Sequence, residues 1–226
     1  MRPSSRSGIY RRFGKRLLDV VGASLALLIV LPIMGVIALV IRIRMGAPVC
    51  YSERRAGRNA RPFVLWKFRT MTNDRDDRGQ LLQDHERLTP LGRFLRRTSV
   101  DELPEFWHVL RGDMSLVGPR PLPVRYLERY SEGQARRLDV TPGITGLVQV
   151  RGRNGLTWDQ KFALDVWYVD HQSLWMDLEL LFLTVATVLR GDGVSQPGHA
   201  TMEEFLGSIA DAPPDLSPMK IRGSDG

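Results

Sequence analysis

Asp101 and Glu102 stand side by side in the string Arg96-Arg97-Thr98-Ser99-Val100-Asp101-Glu102-Leu103-Pro104. Two adjacent carboxylates at what reads as the first turn of a helix admit more than one role. Acidic side chains are favoured there by the helix dipole, and Ser99-x-x-Glu102 has the form of a capping box, which would make Glu102 a local fastening. A helix N-terminus beside arginines also attracts phosphate and keeps a carboxylate ionised. An ionised Asp101 next to a phosphate could act as a nucleophile. It could equally hold a magnesium ion against the phosphate oxygens.

Two further strings supply cations. In Gly112-Asp-Met-Ser-Leu-Val-Gly118-Pro-Arg120-Pro121, the prolines fix the backbone on either side of Arg120, so its fork would be presented rigidly to a phosphate. The alternative is a turn with one exposed arginine. In Trp66-Lys67-Phe68-Arg69-Thr70-Met71, a strand would put Lys67 and Arg69 on one face. That pair could grip a pyrophosphate or a lipid phosphate, or simply form a solvated edge. The net charge of +7 suits anionic partners. No zinc-finger spacing, RNP-like aromatic motif or heptad after a basic region is present, so nucleic acid is not an expected partner. The single cysteine, Cys50, cannot form an internal disulfide, and His85, His108, His171 and His199 lack metal-ligand spacing.

The elements that must position these groups begin with a membrane segment. Val20–Ile41 is a run of 22 residues without a charge, long enough as a helix to cross a bilayer. Arg11, Arg12, Lys15 and Arg16 precede it, Arg42 and Arg44 follow, and Pro32 lies near its middle. Basic residues favour the cytoplasmic side. A helix that spans must send one cluster across, whereas one that bends at Pro32 and leaves by the same face need not. The expectation is therefore a re-entrant hairpin over residues 10–44, entered through an amphipathic stretch carrying Tyr10, Phe13, Leu17 and Leu18. A spanning signal anchor, a cleaved signal peptide and a buried core helix are the competing readings.

Residues 1–9 and 209–226 are expected to be disordered, and 45–208 to form one cytoplasmic catalytic domain. Within it, Val49–Glu53 and Pro62–Lys67 read as strands of a β-hairpin turning at Gly57-Arg58-Asn59. Leu88–Arg97 reads as a helix, a second helix starts near Ser99 and ends at Gly112, and Leu122–Arg137 and Thr157–Leu189 read as further helices. Met114–Pro123 is expected to be a loop, and Thr141–Gly155 a loop with a short strand. The fold class is mostly α with a small antiparallel β element, behind a membrane hairpin and with interfacial amphipathic helices.

Taken together, the apolar run, Phe63-x-x-x-Lys67-Phe-Arg-Thr-Met71, Asp101-Glu-Leu-Pro104, Gly112-Asp-Met-Ser115, Gly118-Pro-Arg-Pro121 and Thr141-Pro-Gly-Ile-Thr-Gly146 resemble, in this order, the monotopic phosphoglycosyl transferases, or bacterial sugar transferases. The resemblance covers roughly residues 12–207 and points to the minimal form of the family. It implies transfer of a sugar 1-phosphate from a UDP-sugar to undecaprenyl phosphate at the inner leaflet of the bacterial cytoplasmic membrane, with release of UMP and with magnesium as cofactor. By the same resemblance Asp101 is the nucleophile and a metal contact, and Glu102 is its partner. Arg120 matches the family's arginine for the nucleotide or phosphate, and Lys67, Arg69 and Arg96 are the further cations expected to bind the phosphates from their positions in the charged strings. One departure is Leu31-Pro32 where minimal members often carry Ser-Pro. Gly152-Arg-Asn154, Gly193-Val-Ser195 and Gly198 to Gly207 resemble the C-terminal part of enzymes that take UDP-N,N′-diacetylbacillosamine. Two other classes compete: a membrane-associated glycosyltransferase that releases UDP, and a basic membrane adaptor without catalysis.

Overall fold

The structure, a computed structural model, describes residues 8–152, 155–190 and 204–207. Most of the termini expected to be disordered lie outside these residues, as do Arg153-Asn154 and Gly193-Val-Ser195, although Gly8 and Ile9 are helical. The uncharged run lies inside one helix, α1, Lys15–Met45, preceded by a turn of wider helix at Tyr10–Gly14. Pro32 sits inside α1 without ending it. Its ring nitrogen cannot donate to the carbonyl four residues back, so one rung is missing while the helical path continues.

The two ends of α1 are docked and its middle is not. Ala23 is fully buried among Val109, Leu116 and Leu164, and Ile41 is fully buried against Phe68 and Leu95. Burying a side chain of that size contributes about 1.5–3 kcal/mol. Between them Leu25, Leu28, Ile29, Leu31 and Ile33 are exposed. The cations around the start of α1 serve the docking: Arg11 donates to the carbonyls of Val169 (2.7 Å) and Asp170 (2.9 Å), and Arg16 to those of Val109 and Leu110 (both 2.6 Å). Beneath them lies a buried polar network. Asp177 accepts from Tyr10 and Tyr168 (2.8 Å to the latter) and pairs with Lys15 at 2.8 Å. Asp19 accepts from the Ser115 hydroxyl and the Leu116 amide, each at 2.9 Å.

After α1 comes the expected hairpin, longer than read: β1, Cys50–Ala56, pairs antiparallel with β2, Pro62–Phe68, from Cys50 opposite Phe68 to Ala56 opposite Pro62. Helix α2 is a single turn at Asp84–Arg87, and α3 is Pro90–Arg97, capped by the Thr89 hydroxyl. The helix expected from Ser99 starts later. Ser99 is left-handed (φ 55°) and gives no side-chain cap, Val100–Glu102 is one tight turn, and α4 is Glu105–Arg111. The capping box does not form, because Glu102 points away to cations of other elements.

Two strands add a pairing that the sequence patterns do not announce. β3, Ser115–Val117, runs parallel to β4, Gly143–Thr145. The Gly118 amide donates to the Thr145 carbonyl (2.8 Å) and the Gly143 amide to that of Pro119 (2.9 Å). A β-carbon on Gly143 would lie 2.1 Å from the Gly118 nitrogen, so this approach of two backbones admits only glycine. The helix expected over Leu122–Arg137 is instead three short turns, because Ser131 caps a new one, α5 (Glu132–Ala135), with Gln134 closing the box. After α6, Leu147–Arg151, the expected single helix over Thr157–Leu189 divides into α7, Trp158–His171, and α8, Leu174–Arg190. The break is built in: Gln172 is extended and bonds the Tyr168 hydroxyl (3.1 Å), while Ser173 caps Met176 (3.3 Å). Val109, Met114, Val117, Leu147, Leu164, Tyr168 and Leu180 form the main core between these elements.

Candidate active site

Four elements bring one cluster of charges together: Lys67 from β2, Asp101 and Glu102 from the turn before α4, Glu105 from the start of α4, and Arg120 from the loop after β3. Lys67 Nζ lies 2.6 Å from Glu102 Oε1 and 3.0 Å from Glu105 Oε1. Arg120 bonds the same Glu102 oxygen through one nitrogen and lies 3.4 Å from Oε2 through the other. Glu102 is thus clamped from two sides by cations. Asp101 is 8% exposed, and among the described residues its carboxylate forms no hydrogen bond or ion pair.

The two neighbouring carboxylates are pushed in opposite directions. Burial raises the Asp101 carboxyl above its ordinary range, Glu102 raises it further, and Lys67, Arg96 and Arg120 pull against them. Burial acts on Glu102 too, but there Arg120 and Lys67 more than offset it and hold the carboxyl well below the usual range. Burial also raises Glu105, with Lys67 opposing. The arrangement is therefore an ionised, immobilised Glu102 beside an Asp101 whose oxygens remain available. Lys67, Arg96 and Arg120 act electrostatically on Asp101, and so would on a phosphate placed against it.

The expected phosphate-binding residues separate at Arg69. Strand β2 ends at Phe68, and Arg69, whose amide still pairs with the Val49 carbonyl (2.9 Å), is buried with its guanidinium donating to the carbonyls of Met45, Gly46 and Ala47 (3.0 Å to each of the latter two). Met45 ends α1 and Gly46 caps it, where helix carbonyls lack partners within the helix, so the structure places Arg69 as the clasp of the α1 C-terminus. Arg96 closes the last turn of α3 and donates to the Thr70 hydroxyl (3.1 Å), within electrostatic reach of Asp101. Pro32 lies in the exposed middle of α1.

The model of a family described as bacterial sugar transferase matches residues 10–191. This chain belongs to the bacterial sugar transferase family. It is 50% identical over 194 residues to EpsL of Bacillus subtilis (strain 168), named an uncharacterized sugar transferase, covering 86% of this chain and 96% of EpsL. Against the undecaprenyl-phosphate galactose phosphotransferase of Salmonella typhimurium it is 42% identical over 199 residues, 80% of this chain but 42% of that protein. The UDP-glucose:undecaprenyl-phosphate glucose-1-phosphate transferase of Caulobacter vibrioides is 40% identical over 188 residues, 79% of this chain and 70% of the relative. The chain thus spans nearly all of EpsL and about two fifths of the Salmonella enzyme.

In this sugar transferase the structure adds residues that motif reading passed over. Glu105 follows Glu102 by three positions, so a helical turn carries it back to Lys67, a relation that spacing alone could have raised. His108 is buried behind the strand: its Nε2 accepts from the Trp66 amide (3.2 Å), which leaves Nδ1 to face Asp113 Oδ2 at 3.3 Å, and burial lowers its basicity. It holds α4 to β2 as a neutral side chain. Arg137 and Asp165 form a buried pair at 2.8 Å, and Arg137 also donates to the Arg120 carbonyl at 2.7 Å. No sequence signal joined those positions.

Magnesium can be tested against the donor set. Among the described residues no three His, Cys, Asp or Glu side chains gather as a metal cage, and both Glu102 oxygens face cations. Of the adjacent pair Asp101 and Glu102, only Asp101 offers open oxygens here. That fits magnesium, which takes one or two carboxylates and completes its shell with substrate phosphate and water.

Proposed function

We propose that this chain transfers a sugar 1-phosphate from a UDP-sugar to undecaprenyl phosphate and releases UMP, in two displacements through an ester of Asp101. The observation that carries the reading is the unpartnered Asp101 carboxylate beside a fully clamped Glu102. A residue kept for structure would be bonded like its neighbour. In the first displacement an Asp101 oxygen attacks the sugar-bearing phosphorus, a new oxygen–phosphorus bond forms, and the diphosphate bridge breaks with UMP as leaving group. In the second, a phosphate oxygen of undecaprenyl phosphate attacks the same phosphorus, and the Asp101 carboxylate departs unchanged.

Lys67, Arg96 and Arg120 neutralise the phosphoryl oxygens during both steps, a preorganised field that needs no rearrangement at the moment of reaction. Glu102 holds two of those cations in place and keeps Asp101 from drifting into either. A magnesium ion held by Asp101 and the diphosphate would supply further charge neutralisation for the leaving UMP.

The membrane placement is part of the proposal. Both ends of α1 pack on one globular body, through Asp19 and Ala23 at one end and Ile41 at the other, while Leu25–Ile33 present apolar side chains outward. Docking of both ends on one domain supports a placement of both on the same face of a bilayer. This favours a re-entrant, monotopic segment that dips into the inner leaflet, with Arg12, Arg42 and Arg44 exposed for cytoplasmic head groups. The acceptor phosphate lies in that plane. For the sugar we propose N,N′-diacetylbacillosamine, with the glucose and galactose named in the relatives as its competitors.

The test is UMP release with undecaprenyl phosphate and magnesium over UDP-N,N′-diacetylbacillosamine, UDP-glucose and UDP-galactose. UMP as the nucleotide product supports the reading. UDP as sole product would replace it with a direct glycosyl transfer.

A further inference from the structure

Phe205 lies beyond the residues that the family model matches, yet its ring is 1% exposed. It fills a box made by Tyr126, Tyr130, Trp158 and Phe162, with ring centroids 4.8 Å away for Phe162, 5.4 Å for Trp158, 5.8 Å for Tyr126 and 6.1 Å for Tyr130. The chain is also pinned by polar contacts. The Phe205 amide donates to the Tyr126 hydroxyl (3.2 Å), Arg129 donates to the Phe205 carbonyl, and Glu204 pairs with Arg129 (3.0 Å) and Arg125 (3.1 Å). A segment 14 to 15 positions after the end of α8 is thereby held on the turn that directly follows the Arg120 loop.

The box has a back wall that faces the reaction. Arg137 stacks over the Phe162 and Tyr130 rings at 5.7 and 5.9 Å and donates to the Tyr130 hydroxyl at 3.3 Å. The same guanidinium is paired with Asp165 and donates to the Arg120 carbonyl. Arg120 in turn clamps Glu102. Each contact in the series Phe205, Phe162 and Tyr130, Arg137, Arg120, Glu102 is a direct one. Every member before Arg120 is buried or half-buried, where packing gives little room for adjustment.

We infer that Glu204-Phe205 is an intramolecular latch that positions Arg120, so that Phe205 is a positioning residue for the phosphate-handling cluster although it touches none of the reacting atoms. The inference rests on the transferase reading for its kinetic consequence but not for its structural one. Emptying the box would free the Tyr130 and Phe162 rings, loosen Arg137 and let the Arg120 backbone move. Displacements of about 1 Å in a positioned group can cost up to about 10²-fold in rate.

The experiment uses full-length Phe205→Ala, Phe205→Leu and wild type in detergent micelles. Hydrogen exchange by mass spectrometry is read over Val117–Pro123 and, as an internal reference, over β1 and β2. Single-turnover UMP release without acceptor lipid is read with whichever UDP-sugar the wild type uses. The latch predicts that Phe205→Ala speeds exchange at Val117–Pro123 and lowers kcat/KM for the UDP-sugar about tenfold. It also predicts that Phe205→Leu, which refills most of the box, restores both. Unchanged exchange at Val117–Pro123 in Phe205→Ala would overturn it, as would exchange raised equally in β1 and β2, which is general unfolding. Wild type that releases no UMP, together with faster exchange at Val117–Pro123 in Phe205→Ala, would defeat the transferase reading and support the latch.

Discussion

Two buried charge clusters in this molecule are built from similar parts and differ in one respect. At the base of α1, Lys15 with Asp19 and Asp177 forms a network in which each carboxylate is bonded: Asp177 to Tyr10, Tyr168 and Lys15, Asp19 to Ser115 and Leu116. In the sugar transferase site, Lys67 and Arg120 meet Glu102 in the same saturated way, but Asp101 beside it has no bonded partner among the described residues. A saturated network fixes geometry, whereas an open carboxylate stays available to a ligand. The first cluster anchors the membrane helix to the catalytic body. In the proposed reaction the second keeps one oxygen pair available to a phosphate.

The comparison can be broken by neutralising each acid in turn. Asp101→Asn should lower UMP release by about 10⁴-fold or more, since a nucleophile cannot be replaced by its neighbours. Its thermal midpoint should stay at or above that of wild type, because the change relieves burial and repulsion from Glu102 and removes no bond. A midpoint that falls by several degrees would make Asp101 structural. Asp177→Asn should do the opposite, losing about 3 kcal/mol or more by stranding Lys15 in a buried pair. UMP release per folded molecule, measured at a temperature where the variant remains folded, should stay within about threefold of wild type.

Glu102→Gln belongs between them. It should cost about 1–3 kcal/mol by leaving Lys67 and Arg120 without their shared anion, and about 10²-fold in turnover by loosening the cations around Asp101. Denaturant melts and initial rates on one preparation check both. A smaller effect is expected from pH. The nucleophile must be ionised, so kcat/KM for the UDP-sugar should fall on the acid side at a pH above the ordinary aspartate value of 3.8. The stability terms have opposite signs. Asp101, raised in the folded state, favours folding below 3.8 and loses that contribution as pH rises through its folded value. Glu102, depressed, stabilises above the ordinary 4.5 and loses its contribution as pH falls through its own folded value. The difference in stability between wild type and Asp101→Asn should therefore widen as pH rises through the folded Asp101 value, which paired melts across acid pH would measure.

Much of this site was legible in local strings, and the reasons for success and failure are physical. Asp101, Glu102, Lys67 and Arg120 were singled out by residue type, by the prolines around Arg120 and by the family resemblance, and the structure brings these four side chains together. The hairpin was visible from its residue types and a turn signal, though β1 starts one residue later and runs on to Ala56, and β2 runs on to Phe68. Arg69 still pairs through its amide with the Val49 carbonyl, but its guanidinium is taken up by the carbonyls of Met45, Gly46 and Ala47, a long-range partner that strand parity does not reveal. Ser99 reads as a cap because the pattern is local, whereas the fate of Glu102 is set by cations 35 positions before it and 18 after it in the chain. The parallel pairing of Ser115–Val117 with Gly143–Thr145 joins two segments of three residues each, too short for any periodicity to register. The same holds for Arg137 with Asp165 and for Lys15 with Asp177, pairs that only tertiary packing brings together.

The central claim is that the open carboxylate of Asp101 takes up the sugar phosphate. The most direct measurement is rapid-quench labelling with UDP-sugar carrying a radioactive phosphorus on the sugar side of the diphosphate, without acceptor lipid. Wild type should hold label on the protein in step with UMP release, on a peptide containing Asp101, and should give it up when undecaprenyl phosphate is added. Asp101→Asn should hold none. Label that persists in Asp101→Asn, or UMP released by wild type in step with lipid product and with no protein label at any quench time, would contradict the account.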